Sequence, residues 1–158
     1  MTNAKSDRAR IIAPPPLFAL VCIAAGFLAE RFKPFWLFST PSVLEVIIGA
    51  VLVVFSIAII ASARHIFLAH GTHLNPYKPT TAVVTTGIYR FSRNPIYFAF
   101  LIFVLAFAFF ANSLWFVIFD ALLFVLLHFG VVKREEAYLE QKFGDSYREY
   151  CGRVRRWI

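Results

Sequence analysis

The chain has 158 residues, 59% hydrophobic and 16% charged, where ordinary soluble domains carry roughly 45–50% and about 25%. A soluble domain of this size cannot hide so much apolar surface, because a large share of its residues must face water. Soluble globular, disordered and nucleic-acid-binding classes are therefore excluded, and the net charge of +7 is read as loop topology and contact with anionic headgroups.

The expected class is an all-α polytopic membrane protein with about four transmembrane helices and a cytoplasmic C-terminal helical tail, one integral membrane domain over residues 1–158. The first apolar segment runs from Leu17 to Leu28, behind Pro14-Pro15-Pro16. Lys5, Arg8 and Arg10 precede it as in a signal peptide, but no small-x-small cleavage site follows, so it is read as a span. The second segment, Ser42 to Ala63, is interrupted only by Glu45, which is expected to snorkel. Residues 1–63 thus hold an N-terminal pair of spans, and residues 64–158 a connection, a helical hairpin and a tail that form the expected cofactor site.

Glycine, proline and β-branched residues between Gly71 and Tyr97 argue against a long helix there. Asn94-Pro95 supplies an N-cap-like residue and an N1 proline for the next helix. The third segment is Ile96 to Ala111 and the fourth Ser113 to Val132, a tight hairpin turning at Asn112-Ser113. Segments two and four reach about 30 Å at ~1.5 Å per residue. Glu135 to Phe143 continue the fourth helix to Gly144 as its C-cap. Asp145 is expected to cap a short helix with an apolar stripe of Tyr147, Tyr150 and Val154, and Trp157 suits the interface.

Lysines and arginines set the expected orientation. The N-terminus has three, the 64–96 connection four and the tail seven, against two (Arg31 and Lys33) on the other side. The positive-inside rule makes the richer side cytoplasmic, with both termini and the active site.

An irregular connection beside short spans needs cover from protein or a water-filled cavity, so a pocket open to cytosol and lipid is expected there. Glu135-Glu136 needs counter-charges, with Arg90, Arg93 and Arg134 as candidates. On an ideal helix His128 lies about 20° from Glu135 and Asp120 about 60°, and ionisable groups within a span favour the bundle interior or a cavity. His65, His70 and His73 lack metal-ligand spacing, so no metal is expected. No nucleophile elbow, P-loop or dinucleotide fingerprint is present. Cys22 and Cys151 read as free thiols.

Thr85-Thr86-Gly87-Ile88-Tyr89-Arg90-Phe91-Ser92-Arg93-Asn94-Pro95-Ile96-Tyr97, followed by the hairpin, Glu135-Glu136-Ala137-Tyr138-Leu139 and Phe143-Gly144-Asp145-Ser146-Tyr147-Arg148-Glu149-Tyr150, carries a resemblance. In this order, over roughly residues 71–158, it resembles the isoprenylcysteine carboxyl methyltransferase family and its phospholipid methyltransferase relatives. The resemblance implies an integral-membrane methyltransferase using S-adenosyl-L-methionine without a Rossmann domain. It implies a cofactor site at Val83, Val84, Gly87, Tyr89, Arg93, Asn94, Pro95, Tyr97 and Glu135. Val131 stands where the isoprenylcysteine enzymes place a substrate-binding arginine, leaving Arg134 or Arg93 to substitute.

S-adenosylmethionine carries a sulfonium, an ammonium and a carboxylate. Glu135 suits the ammonium, Arg93 the carboxylate, and Tyr89 or Tyr97 the sulfonium through cation–π attraction. A carboxylate acceptor is already ionised and needs no base, only an arginine such as Arg93 to orient it. An amine or thiol acceptor needs a base, for which Glu136 or His128 is available. Arg93, Glu136 and His128 are therefore the catalytic candidates. The expected function is methyl transfer to a lipophilic acceptor, most like prenylcysteine carboxyl methylation, with a phospholipid amine or small thiol as the alternative. The partners are a lipophilic or prenylated substrate from the bilayer and membrane lipid, with no nucleic acid. Two readings of other classes are a sterol-reductase-like NADPH enzyme and a non-enzymatic membrane module.

Overall fold

Residues 9, 11–40, 42–69, 71 and 82–158 are described by a computed structural model. Lys5, Arg8, Arg10, His70, His73 and Lys78 lie outside these residues, as does the connection from Thr72 to Thr81. The elements are α1 (Pro15–Phe32), α2 (Val43–Ala69), a 3-10 turn (Gly87–Arg90), α3 (Pro95–Phe110), α4 (Leu114–Leu127), a π turn (His128–Val132), α5 (Lys133–Phe143) and α6 (Asp145–Arg153). Three helices, Pro15–Phe32, Val43–Ala69 and the continuous Leu114–Phe143, are long and apolar enough to cross a membrane, and Pro95–Phe110 is a shorter apolar one. The architecture is all-helical and polytopic, as the hydropathy requires.

Local chemistry sets the helix starts. Prolines in the first turn open α1 and α3, where a missing N–H leaves nothing unpaired. At the start of α2, Ser42 N–H and Oγ donate to Glu45 at 3.0 and 3.3 Å, the return half of a capping box. Glu45 is only 7% exposed. It does not snorkel, because its carboxylate is taken up in closing the helix end. The α3–α4 turn has Asn112 at φ 46°, and Ser113 Oγ accepts the Trp115 N–H at 3.3 Å.

Without a hydrophobic drive between helices in lipid, close approach depends on small residues and interhelical hydrogen bonds. A Cβ on Gly26 would stand 2.7 Å from the Phe116 ring, and one on Gly49 2.7 Å from Phe110. Ser56 Oγ crosses from α2 to donate to Ala99 O at 2.8 Å in the buried interior. Ala19, Cys22, Val104, Leu123, Leu127 and Val131 form the main core between α1, α3 and α4, while Leu20, Val51, Val54 and Ile57 point outward, as lipid-facing side chains do.

The bundle has two distinct ends. At one, residues 33–38 lie along the hairpin turn: Leu114 N–H donates to Phe35 O at 2.8 Å, Leu37 N–H to Asn112 O at 3.1 Å, and Ser113 Oγ donates to Glu30. At the other, Ile12 N–H donates to Gly130 O at 3.1 Å, and the 82–94 segment meets α6 and the C-terminal residues.

Three expectations change at this second end. The Lys133 N–H reaches back five residues to His128 O, and this wider turn advances less per residue than an α-helix. His128 and Glu135 are therefore not in ideal helical register. Gly144, at φ 55°, ends α5, but Asp145 gives α6 no side-chain cap. Its carboxylate turns to Arg148 instead, at 2.6 Å. Trp157, expected as an interface residue, packs half-buried on the main core, with ring centroids 5.1 Å from Phe124 and 6.2 Å from His128.

Candidate functional site

The first turn of α5 meets the first turn of α3. Successive helical residues point about 100° apart, so Glu135 and Glu136 address different partners. Tyr97, on α3, donates its hydroxyl to Glu135 Oε1 at 2.7 Å. Glu136 lies between two guanidiniums, with Arg93 Nη1 at 3.1 Å and Arg156 Nη2 at 2.7 Å. Arg156 Nε adds contacts of 3.0 Å to both Glu136 oxygens, the forked geometry that makes arginine–carboxylate pairs strong.

The same arginines tie down the end of the chain. Arg93 N–H donates to Arg155 O at 3.0 Å, Asn94 Nδ2 to Arg156 O at 2.9 Å, and Ser92 Oγ to the same carbonyl at 3.5 Å. Arg93 Nη1 also reaches the Cys151 thiol. From α6, Tyr150 donates its hydroxyl to Tyr89 O at 2.7 Å. The Ser92-Arg93-Asn94 turn is thus a clamp for Arg155 and Arg156.

On the other side of that turn, Val84, Tyr89 and Ala63 form a buried cluster with Ile66, Phe67 and Ile96 against it. The Tyr89 ring lies 5.2 Å from that of Phe67. Burial first, then Tyr150 and Glu135, raise the Tyr89 phenol above its ordinary range; it is a neutral aromatic near the Glu135 carboxylate. Val83 is half-buried. Gly87 adopts φ +59°, and a Cβ there would run into Ile66, so this position needs glycine for the turn itself. Pro95 is buried at the start of α3.

Of the residues singled out in the sequence, Val84, Tyr89, Tyr97 and Glu135 come together at the α2–α3–α5 junction. Arg93, Asn94 and Glu136 go elsewhere. Asn94 stands at the N-cap of α3 without a side-chain cap bond, because its amide is turned to the C-terminal segment, not toward Glu135. Glu136 has both oxygens engaged by arginine, so it is a clamp rather than a free base. Arg93 holds Glu136 and Cys151 through Nη1, while its buried Nε has no partner among the described residues. His128 stacks on Phe124 at 5.8 Å and on Trp157, and its Nδ1 is buried without a partner among the described residues. Ser92, Tyr150, Arg156 and Trp157 also join this end of the molecule, none of them among the expected site residues. Ser92 and Tyr150 lie in the ordered motifs and Trp157 stands out as a terminal aromatic, but nothing local distinguishes Arg156 from the other arginines of the tail.

A half-buried carboxylate, its tyrosine donor and a neighbouring aromatic ring thus lie together at this junction. A relative in Haemophilus influenzae, described as an uncharacterized protein, is 63% identical over 27 residues, which are 17% of this chain and 43% of that protein's length. The match thus spans less than half of that relative. No solved structure matches the chain. The model of the phospholipid methyltransferase family matches residues 44–146, a span that runs from the first turn of α2 into α6 and includes Val84, Tyr89, Tyr97 and Glu135. With that match over more than half its length, this membrane protein belongs to the phospholipid methyltransferase family.

Proposed function

We propose that the protein is a membrane methyltransferase that uses S-adenosylmethionine and acts on a lipophilic acceptor entering from the bilayer, with the chemistry on the cytoplasmic side. The observation that carries this reading is the Tyr97–Glu135 hydrogen bond of 2.7 Å, inside the matched segment and beside Tyr89. When bound, S-adenosylmethionine supplies an activated methyl group on a sulfonium. Glu135 is the group to hold the ligand's ammonium, with Tyr97 orienting the carboxylate and Tyr89 and Val84 forming the apolar and aromatic wall. That wall excludes water, which strengthens each electrostatic contact within it.

A carboxylate acceptor, as in prenylcysteine methylation, fits best. It needs no base, and the engagement of Glu136 by two guanidiniums removes one of the two bases an amine would require. A phospholipid amine is the second reading. It is favoured by the description of the family and leaves His128 as the base. Labelled-methyl transfer in membranes containing the protein tests both, with prenylcysteine analogues, phosphatidylethanolamine and small thiols as acceptors. Labelling of the prenylcysteine carboxylate is expected. Labelling of the amine alone selects the second reading, and no labelled product from any acceptor contradicts methyl transfer.

A further inference from the structure

The 3-10 turn and α6 border a half-open cavity of about 300 Å³ lined by Thr85, Arg90, Tyr150, Arg153 and Val154. None of these residues has a part in the proposed transfer. Arg90 is exposed and makes no ion pair among the described residues. Arg153 meets Glu149 at 3.2 Å, with both side chains about 70% exposed, a pairing weak enough for an incoming anion to displace. Tyr150 fixes the wall through its bond to Tyr89 O, and Thr85 adds an exposed hydroxyl. Two guanidiniums from separate elements, with a hydroxyl beside them, are the donor set for a phosphate group.

The position of the cavity argues for a lipid as the source of that phosphate. Phe91, next to Arg90, is 75% exposed. An aromatic ring left open beside an arginine at the basic end of a membrane bundle matches the boundary between headgroups and acyl chains. Basic pockets at that level hold anionic headgroups. We propose that the cavity between Arg90 and Arg153 binds the phosphate of an anionic bilayer phospholipid, with Phe91 in the acyl boundary. This site is independent of the methyl-transfer reading.

Calorimetric titration of the purified full-length protein with a soluble short-chain phosphatidylglycerol tests the proposal. Saturable binding is expected, weakened about fivefold by Arg90→Gln and about fivefold by Arg153→Gln. Glu149→Gln, which releases Arg153, should tighten it. Arg148→Gln removes the same charge from α6 outside the cavity and should leave it unchanged. These side chains are exposed, and equal unfolding midpoints would verify that the variants fold. The proposal is overturned if the protein does not bind the lipid, if the cavity variants bind it as wild type, if Arg148→Gln weakens it as much as Arg153→Gln, or if inorganic phosphate binds as tightly as the lipid.

Discussion

Glu135 and Glu136 are adjacent, yet one accepts a hydroxyl from Tyr97 and the other bridges two arginines. Only the first has a neutral partner, so it is the one that no arginine already engages. Removing the Tyr97 hydroxyl leaves the Glu135 carboxyl in place without the donor that orients it. Tyr97→Phe should therefore weaken S-adenosylmethionine binding less than Glu135→Gln does, in the same titration; a larger loss in Tyr97→Phe would reverse the assigned roles. Gly87 offers a test that involves no ligand. Its positive φ and the Ile66 contact predict that Gly87→Ala lowers stability by about 1–2 kcal/mol, read from thermal unfolding in detergent. An unchanged midpoint would show that the turn is not constrained. The residue types at this junction were legible in sequence through the ordered Tyr89, Arg93-Asn94-Pro95 and Glu135-Glu136 pattern. Which carboxylate does what was not legible, because it depends on a partner some twenty positions away, Arg156, that no spacing rule selects.

The clamp on Arg155 and Arg156 links three elements: the turn before α3, the start of α5 and the chain end after α6. Because Arg156 and Glu136 are mutual partners, their substitutions should not add. Arg156→Ala and Glu136→Gln should each lower stability by about 2 kcal/mol, and the double variant by clearly less than the sum, since removing both avoids a stranded charge. Strict additivity in thermal unfolding would show that the pair is not coupled. The helices were readable from hydropathy alone, since a bilayer demands long apolar runs. The π turn was not, because nothing in His128-Phe129-Gly130-Val131-Val132 distinguishes an i→i+5 turn from an α-helical one. Glu45 was misread for a similar reason: a charge near a span's end looks alike whether it snorkels or closes a capping box.

At the scale of the whole molecule, the bundle gathers the hairpin turn and residues 33–38 at one end, and Ile12, the junction and the chain terminus at the other. Charge counting assigns the second of these ends to the cytoplasmic side. In right-side-out sealed vesicles, a membrane-impermeant maleimide should label Ser39→Cys and not Ser146→Cys, and the reverse pattern would invert the orientation. Both positions are exposed, so labelling reports the side rather than burial. The functional account depends most on the junction at Glu135 being built to hold a cationic methyl donor. Calorimetric titration of the purified protein with S-adenosylmethionine measures this directly. Saturable binding is expected in wild type and about tenfold or more weaker binding in Glu135→Gln, the loss of one hydrogen bond to a charged group. No heat at millimolar donor, or equal affinity in the two proteins, would contradict it.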